Sequence, residues 1–426
     1  MNKNIINDID NLLTANVITP DIAQNIRNYY AINDNKSQNN LFVIFGILGA
    51  LLSGLGIILI LAHNWDNLSN FIKCIFAFIP LIIGQIFCGY SLLKKSESPA
   101  WLESSAVFTF FSIGASISLI AQIYNISGDF AAFILTWSLL GLPLVYLLQS
   151  SKVSLLYIVG ITIYCCNTNF FDYPRFETNY WYFGLIFGVV PHYFHLLKNK
   201  ISANFTFFHN WFLAITLLIV LSVFGVGQQK WIFIAYLSLL AVYYFIGKTK
   251  FFDKQDLRFN SFYIIGKLGT IFMLFQFSFN TFWDVIGLHN AKTIFISIDF
   301  FVAVFITLLA FILFIYKNKN TNFKEIQIVE IIFAIAFICF IFNISMTYLS
   351  NILVLLIGVA EINRGNKSNN LGILNYGLAI ITILIICRFF DTDMSFAIRG
   401  VLFLLVGFGF FVTNYITLKK RKKHEQ

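Results

Sequence analysis

IFISIDFFVAVFITLLAFILFIY, residues 294–316, decides the fold class. It holds one ionisable side chain, Asp299, in a run long enough for a helix to cross about 30 Å of hydrocarbon at 1.5 Å per residue. Lipid offers the backbone no hydrogen-bonding partner, so such a run must be helical. The same pattern repeats outward in both directions. Apolar runs lie at 41–62, 72–93, 103–123, 130–148, 153–167, 180–197, 208–226, 231–247 and 261–280 before it, and at 327–342, 346–361, 371–388 and 396–416 after it. Short polar breaks separate them. The expected fold is an all-α polytopic transmembrane helix bundle of about 14 spans with short loops. Twelve is the alternative, because the runs at 153–167, 327–342 and 346–361 are short.

Composition agrees. Of 426 residues 58% are apolar and 12% charged, with 51 Phe, whereas soluble domains carry about 25% charged residues. The formal net charge of +9 does not imply nucleic-acid binding, because the basic residues sit in clusters between apolar runs. Counted on alternate sides, the inner segments hold 22 of the 29 Lys and Arg, the outer ends hold six, and Lys267 lies within a span. The positive-inside rule therefore puts Lys248–Arg258, Lys317–Lys324 and the tail Lys419–Lys423 in the cytoplasm, together with both termini. A bacterial cytoplasmic membrane is the expected location and membrane lipids the expected partners. No protein partner is specified.

The polar first 39 residues lack the pattern of a cleavable signal peptide. Ile5, Ile6, Ile9, Leu12 and Leu13 fit one short amphipathic helix. Thr19-Pro20-Asp21 reads as the start of a second, with a hydroxyl N-cap, proline at the first position and an acid in the first turn. Ile22, Ile26, Tyr29 and Tyr30 would form its apolar stripe. Gly46, Ala50 and Gly54 mark a flat strip for close helix packing, as do Gly400, Gly407 and Gly409. Pro80, Pro143 and Pro191 fall in or near spans.

Ionisable residues inside hydrocarbon are costly, which singles out Lys267 and Asp299. They fall near opposite ends of their spans, so they are not expected to pair. Glu103, Glu330 and Glu361 read as interfacial. His192, His195 and His209 come from one side of the membrane, but no carboxylate with metal-ligand spacing accompanies them. No metal, cofactor or catalytic residue is assigned. The six cysteines all lie in apolar segments and read as packing residues. On the outer side, carboxylates sit beside aromatic or amide groups in several turns: Asn64-Trp65-Asp66, Tyr124-Asn125 with Asp129, Trp283-Asp284 with His289, and Asp391 with Asp393. Gly128 permits a tight turn before Asp129, which fits a helix cap. Asn64, Trp65, Asp66, Tyr124, Asn125 and Asp129 make a candidate outer polar cluster.

Ala62-His63-Asn64-Trp65-Asp66 with Lys73, followed by Ile120-Ala121-Gln122-Ile123-Tyr124-Asn125-Ile126-Ser127-Gly128-Asp129, resembles the signature of domain-of-unknown-function family 2157, a group of predicted bacterial membrane proteins. The resemblance implies a short polar segment and a four-span unit over roughly residues 8 to 150. Phe389-Phe390-Asp391, Gly400 and the basic tail resemble long members of the group. It brings no reaction. The expected organisation is an N-terminal cytoplasmic segment (1–39), a first four-span unit (40–150), a further bundle of about ten spans (151–416) and a basic tail (417–426).

A structural or regulatory membrane component is the favoured reading. The alternatives are a transporter or lipid-handling carrier with a polar cavity at Asp299, and a membrane enzyme using the outer carboxylates.

Overall fold

The computed structural model describes residues 9, 12–15, 17–26, 65–171, 178–199, 204–225, 230–249, 252, 260–286, 297–319 and 326–389, with single residues between 396 and 411. The chain divides into two compact units, residues 1–78 and 79–426. In the first, residues 20–26 are helical. The Ala23 amide donates to the Thr19 carbonyl at 3.0 Å. Ala23 is buried and Ile22 is exposed, so the covered face of this helix differs from the predicted stripe.

Among the described residues between 70 and 389 fourteen α-helices follow in chain order, and they are not fourteen spans. They are α1 (Asn70–Lys94), α2 (Pro99–Ile123), α3 (Phe130–Leu147), α4 (Ser151–Cys166), α5 (Trp181–Leu185), α6 (Val190–Asn199) and α7 (Asn204–Leu221). Then come α8 (Ile232–Gly247), α9 (Ser261–Phe277), α10 (Asn280–Ile286), α11 (Ile298–Asn318), α12 (Ile332–Ile341), α13 (Thr347–Lys367) and α14 (Leu371–Phe389).

The span count is corrected. Among the described residues, seven helices are long and apolar enough to cross a membrane. These are α1, α2, α3, α4 with its π turn, α7 with its 3-10 turn, α11 and α14. The pair α9 and α10, bent by 84°, makes an eighth if it is one span. The expectation of 14 spans, or 12, took the length of an apolar run for the length of a helix. Residues 181–199 break into α5, a 3-10 turn at Ile186–Gly188 and α6. The run at 327–342 yields a 3-10 turn and the ten-residue α12, and α8 has only 16 residues. α13 is longer than its run but carries Glu361, Arg364 and Lys367 in its last turns. The predicted run 41–62 lies outside the described residues, as does most of 396–416.

α8 is the centre of the second half. Twelve of its 16 residues are buried, as expected of a helix apolar all round. It packs most closely on α9 and α11 and also touches α7 and α12. By contrast α11 turns Phe301, Phe305, Leu308, Ile312 and Tyr316 outward, an apolar surface suited to lipid. Pro80 and Pro143 lie inside α1 and α3 as expected.

Among the described residues, close approach of helix backbones falls at Gly266 and Gly377, and Gly409 lies outside those residues. Nothing lies within 4 Å of a Cβ built on Gly400 or Gly407, while Gly46 and Gly54 are outside the described residues. At Gly266 a Cβ would stand 2.5 Å from the Tyr244 amide nitrogen and 2.7 Å from the Leu240 carbonyl oxygen. At Gly377 it would meet the Ile362 nitrogen at 2.7 Å and the Gly358 oxygen at 2.8 Å. Backbone cannot swing aside as a side chain can, so these two glycines hold α8 against α9 and α13 against α14. Gly266→Ala is expected to cost about 1–3 kcal/mol through overpacking. Gly400→Ala should stay within about 0.5 kcal/mol. Thermal unfolding in detergent compares them, and equal midpoints would refute the close-approach role.

Candidate functional site

The buried charges gather at helix ends. At one end of the first helices, Glu103 of α2 is 8% exposed and reaches the start of α4. Its Oε1 accepts the Ser151 amide at 2.9 Å. Its Oε2 accepts the Ser150 hydroxyl at 2.5 Å and the Lys152 amide at 3.2 Å. The first amides of a helix have no partner within it, and a carboxylate there also meets the positive end of the helix dipole. Glu103 thus caps a neighbouring helix.

A buried histidine pair adjoins this cap. Ser151 Oγ and His192 Nε2 are 3.2 Å apart, and the His192 and His209 rings are 5.8 Å apart. His209 Nδ1 lies 2.7 Å from the Phe205 carbonyl and its Nε2 lies 2.9 Å from Ser154 Oγ. A carbonyl only accepts, so Nδ1 carries the proton and Nε2 accepts from the serine. Tyr193 donates to Asn210 Oδ1 at 2.6 Å, and burial pushes its phenol up. His195 is not part of the pair. It is exposed beside Asn199. Among the described residues no three His, Cys, Asp or Glu side chains are grouped to hold a metal.

Asp299, in the first turn of α11, is 1% exposed. Its Oδ2 accepts the amide of Trp231, the N-cap of α8, at 3.0 Å. The Trp231 ring packs against Phe300, Phe337 and Phe340. The carboxylate therefore meets the starts of two helices, its own and α8, beside this aromatic cluster around Trp231. At the same face Arg388 donates to Ser278 Oγ at 3.2 Å where α9 bends into α10.

The opposite ends of these helices hold Lys267. Its partner is Glu361 of α13, at 3.0 Å, with both side chains largely buried. The Tyr376 ring centroid is 4.2 Å from the ammonium and that of Tyr263 is 5.8 Å away. Arg364 stands 3.8 Å from the same carboxylate. Glu330 is fully buried, paired with Lys317, and accepts from Asn318 at 3.1 Å. Glu103, Glu330 and Glu361, expected at helix ends near the interface, are each covered by neighbouring helices. Position along a helix reveals depth but not which neighbour covers the side chain.

Trp65 begins a 3-10 turn that includes Asp66, and the Lys73 ammonium lies 5.8 Å from its ring. Asn64 and the Asp66 side chain fall outside the described residues. Tyr124 is exposed and Asn125 has a left-handed φ of 49°. Asp129 caps α3, accepting the Ala131 and Ala132 amides at 3.1 and 3.3 Å. Both its oxygens are thus engaged locally. Trp283 is buried and donates to the Phe277 carbonyl at 2.8 Å, while His289, Asp391 and Asp393 lie outside the described residues.

Residues 10–154 match the model of a family described as Predicted membrane protein (DUF2157). The match covers the first third of the chain and stops before the bundle around α8. No curated protein and no solved structure matches the chain.

Proposed function

We propose, on the premise that residues 10–154 belong to the DUF2157 family, that this multi-pass membrane protein is a structural or regulatory component of a bacterial cytoplasmic membrane. Both termini lie in the cytoplasm in this reading. One observation carries it: Glu103, Asp299, Glu330 and Glu361 each engage a helix start or a cation at a seam between helices. Each of these carboxylates spends at least one oxygen on holding helices together, and Asp299 is 1% exposed, which favours a framework role over a water path.

Asp299→Cys in a cysteine-free background is the test. Small aqueous thiol reagents should leave it unmodified, whereas Asn125→Cys at the exposed outer turn should react. Asp299→Leu should lower stability by about 1.5–3 kcal/mol, the worth of a hydrogen bond to a charged group. Labelling at 299 as fast as at 125 would replace this reading with the carrier.

A further inference from the structure

The Lys267 centre has more polar capacity than its own residues use. Glu361 spends Oε1 on Lys267, while its Oε2 is buried without a hydrogen-bond partner. The Tyr376 hydroxyl is likewise buried and unpartnered. These two atoms belong to side chains that both touch the Lys267 ammonium. Buried polar atoms normally have a hydrogen-bond partner, so the arrangement suits an occupant that donates to a carboxylate and meets a phenol. A hydroxyl group does both.

The charges around the centre specify the rest of the occupant. Lys267 and Arg364 face the single carboxylate of Glu361, an excess of one positive charge in this triad. Arg364 is 41% exposed and lies one turn from the end of α13, so its guanidinium forms the mouth of the centre. Lys248, at the end of α8, holds its ammonium 4.8 Å from the centroid of the Tyr263 ring, which also lies 5.8 Å from the Lys267 ammonium. A guanidinium at the end of a membrane helix, backed by lysines, suits a phosphate in planar two-point contact. Lys267 is the seventh residue of α9, about 9 Å below the start of that helix at 1.5 Å per residue. The centre therefore lies within about two turns of the start of α9.

We propose that the Lys267–Glu361–Tyr376 centre, with Arg364 at its mouth, binds a phosphate ester that carries a free hydroxyl. The phosphate meets Arg364, and the hydroxyl reaches Glu361 Oε2 and the Tyr376 phenol. Both a polyol lipid headgroup and a soluble polyol phosphate have this chemistry. The site goes beyond the structural or regulatory reading, which stands or falls on Asp299 independently.

Thermal-shift titrations of the full chain in detergent micelles test it, using phosphatidylglycerol, phosphatidic acid, phosphatidylcholine and soluble glycerol phosphate as probes. Phosphatidylglycerol is expected to stabilise at the lowest mole fraction, phosphatidic acid less and phosphatidylcholine not at all. Arg364→Gln should weaken the effect about tenfold, the loss of one charge-assisted contact. Tyr376→Phe keeps the ring over Lys267 and should erase the preference for phosphatidylglycerol over phosphatidic acid. Stabilisation by glycerol phosphate equal to that by the lipid would assign the site to a soluble ester. Equal responses to all three lipids, or responses unchanged in both variants, would overturn the proposal and leave a buried water as the occupant. Both substitutions spare the Lys267–Glu361 pair, so the variants should fold.

Discussion

Glu103→Ala is expected to lower stability by about 3 kcal/mol, although no charged partner is lost. The carboxylate receives the Ser150 hydroxyl and the amides of Ser151 and Lys152. Ser150 in turn accepts the Val153 amide at 3.2 Å. Removing the carboxylate strands three donors at a buried helix start. An orphaned buried donor costs about 1–3 kcal/mol, and the helix also loses a favourable charge at its positive end. Glu103→Gln keeps one acceptor but turns an NH2 group toward an amide, so it should fall between alanine and wild type. Glu97→Ala, exposed in the preceding turn, is the control and should stay within about 0.5 kcal/mol. Chemical unfolding in detergent reads all three. A Glu103→Ala midpoint matching the control would remove the cross-helix cap.

Glu361→Leu should cost still more, about 3–5 kcal/mol, because it leaves the Lys267 ammonium buried and uncompensated. The tyrosine rings beside it supply attraction without a hydrogen-bond acceptor. The decisive comparison is the double variant. Lys267→Met with Glu361→Leu fills similar volume without charge and should return to within about 1 kcal/mol of wild type. A double variant as unstable as the single would mean that Glu361 acts through Arg364 or packing instead of through the lysine. The same cycle gives the coupling energy of the pair directly.

The sequence made the helical class legible because apolar composition and hydrocarbon leave no other regular form. It also offered Asp129 as a cap, since Gly128 and an acid precede an apolar run, and singled out Lys267 as an ionisable residue within a span, since its neighbours are apolar. It did not reveal Glu361 as the partner, because the two helices meet only in the folded bundle. Nor did it distinguish a short enclosed helix from a span. Residues 231–247 and 294–316 read alike in hydropathy, yet the first is enclosed and the second faces outward. Hydropathy records what a helix avoids, and water is avoided equally in a protein core and in lipid. His192 and His209 stand out as possible ligands in the sequence, but the Ser151 and Ser154 hydroxyls that meet them come from α4, a separate helix that no spacing rule links to them.

The enclosure of α8 bears on how the protein answers its bilayer. At 16 residues it is about 24 Å long, shorter than the hydrocarbon slab, and an exposed helix of that length would pinch the lipid around it. Because α8 is ringed by α7, α9, α11 and α12, it touches little lipid and exerts no such strain. Thickness matching falls instead to outward-facing helices such as α11, whose 21 residues span about 31 Å. Moving the protein between membranes of shorter and longer acyl chains should therefore tilt α11 while the register of α8 within the bundle stays fixed.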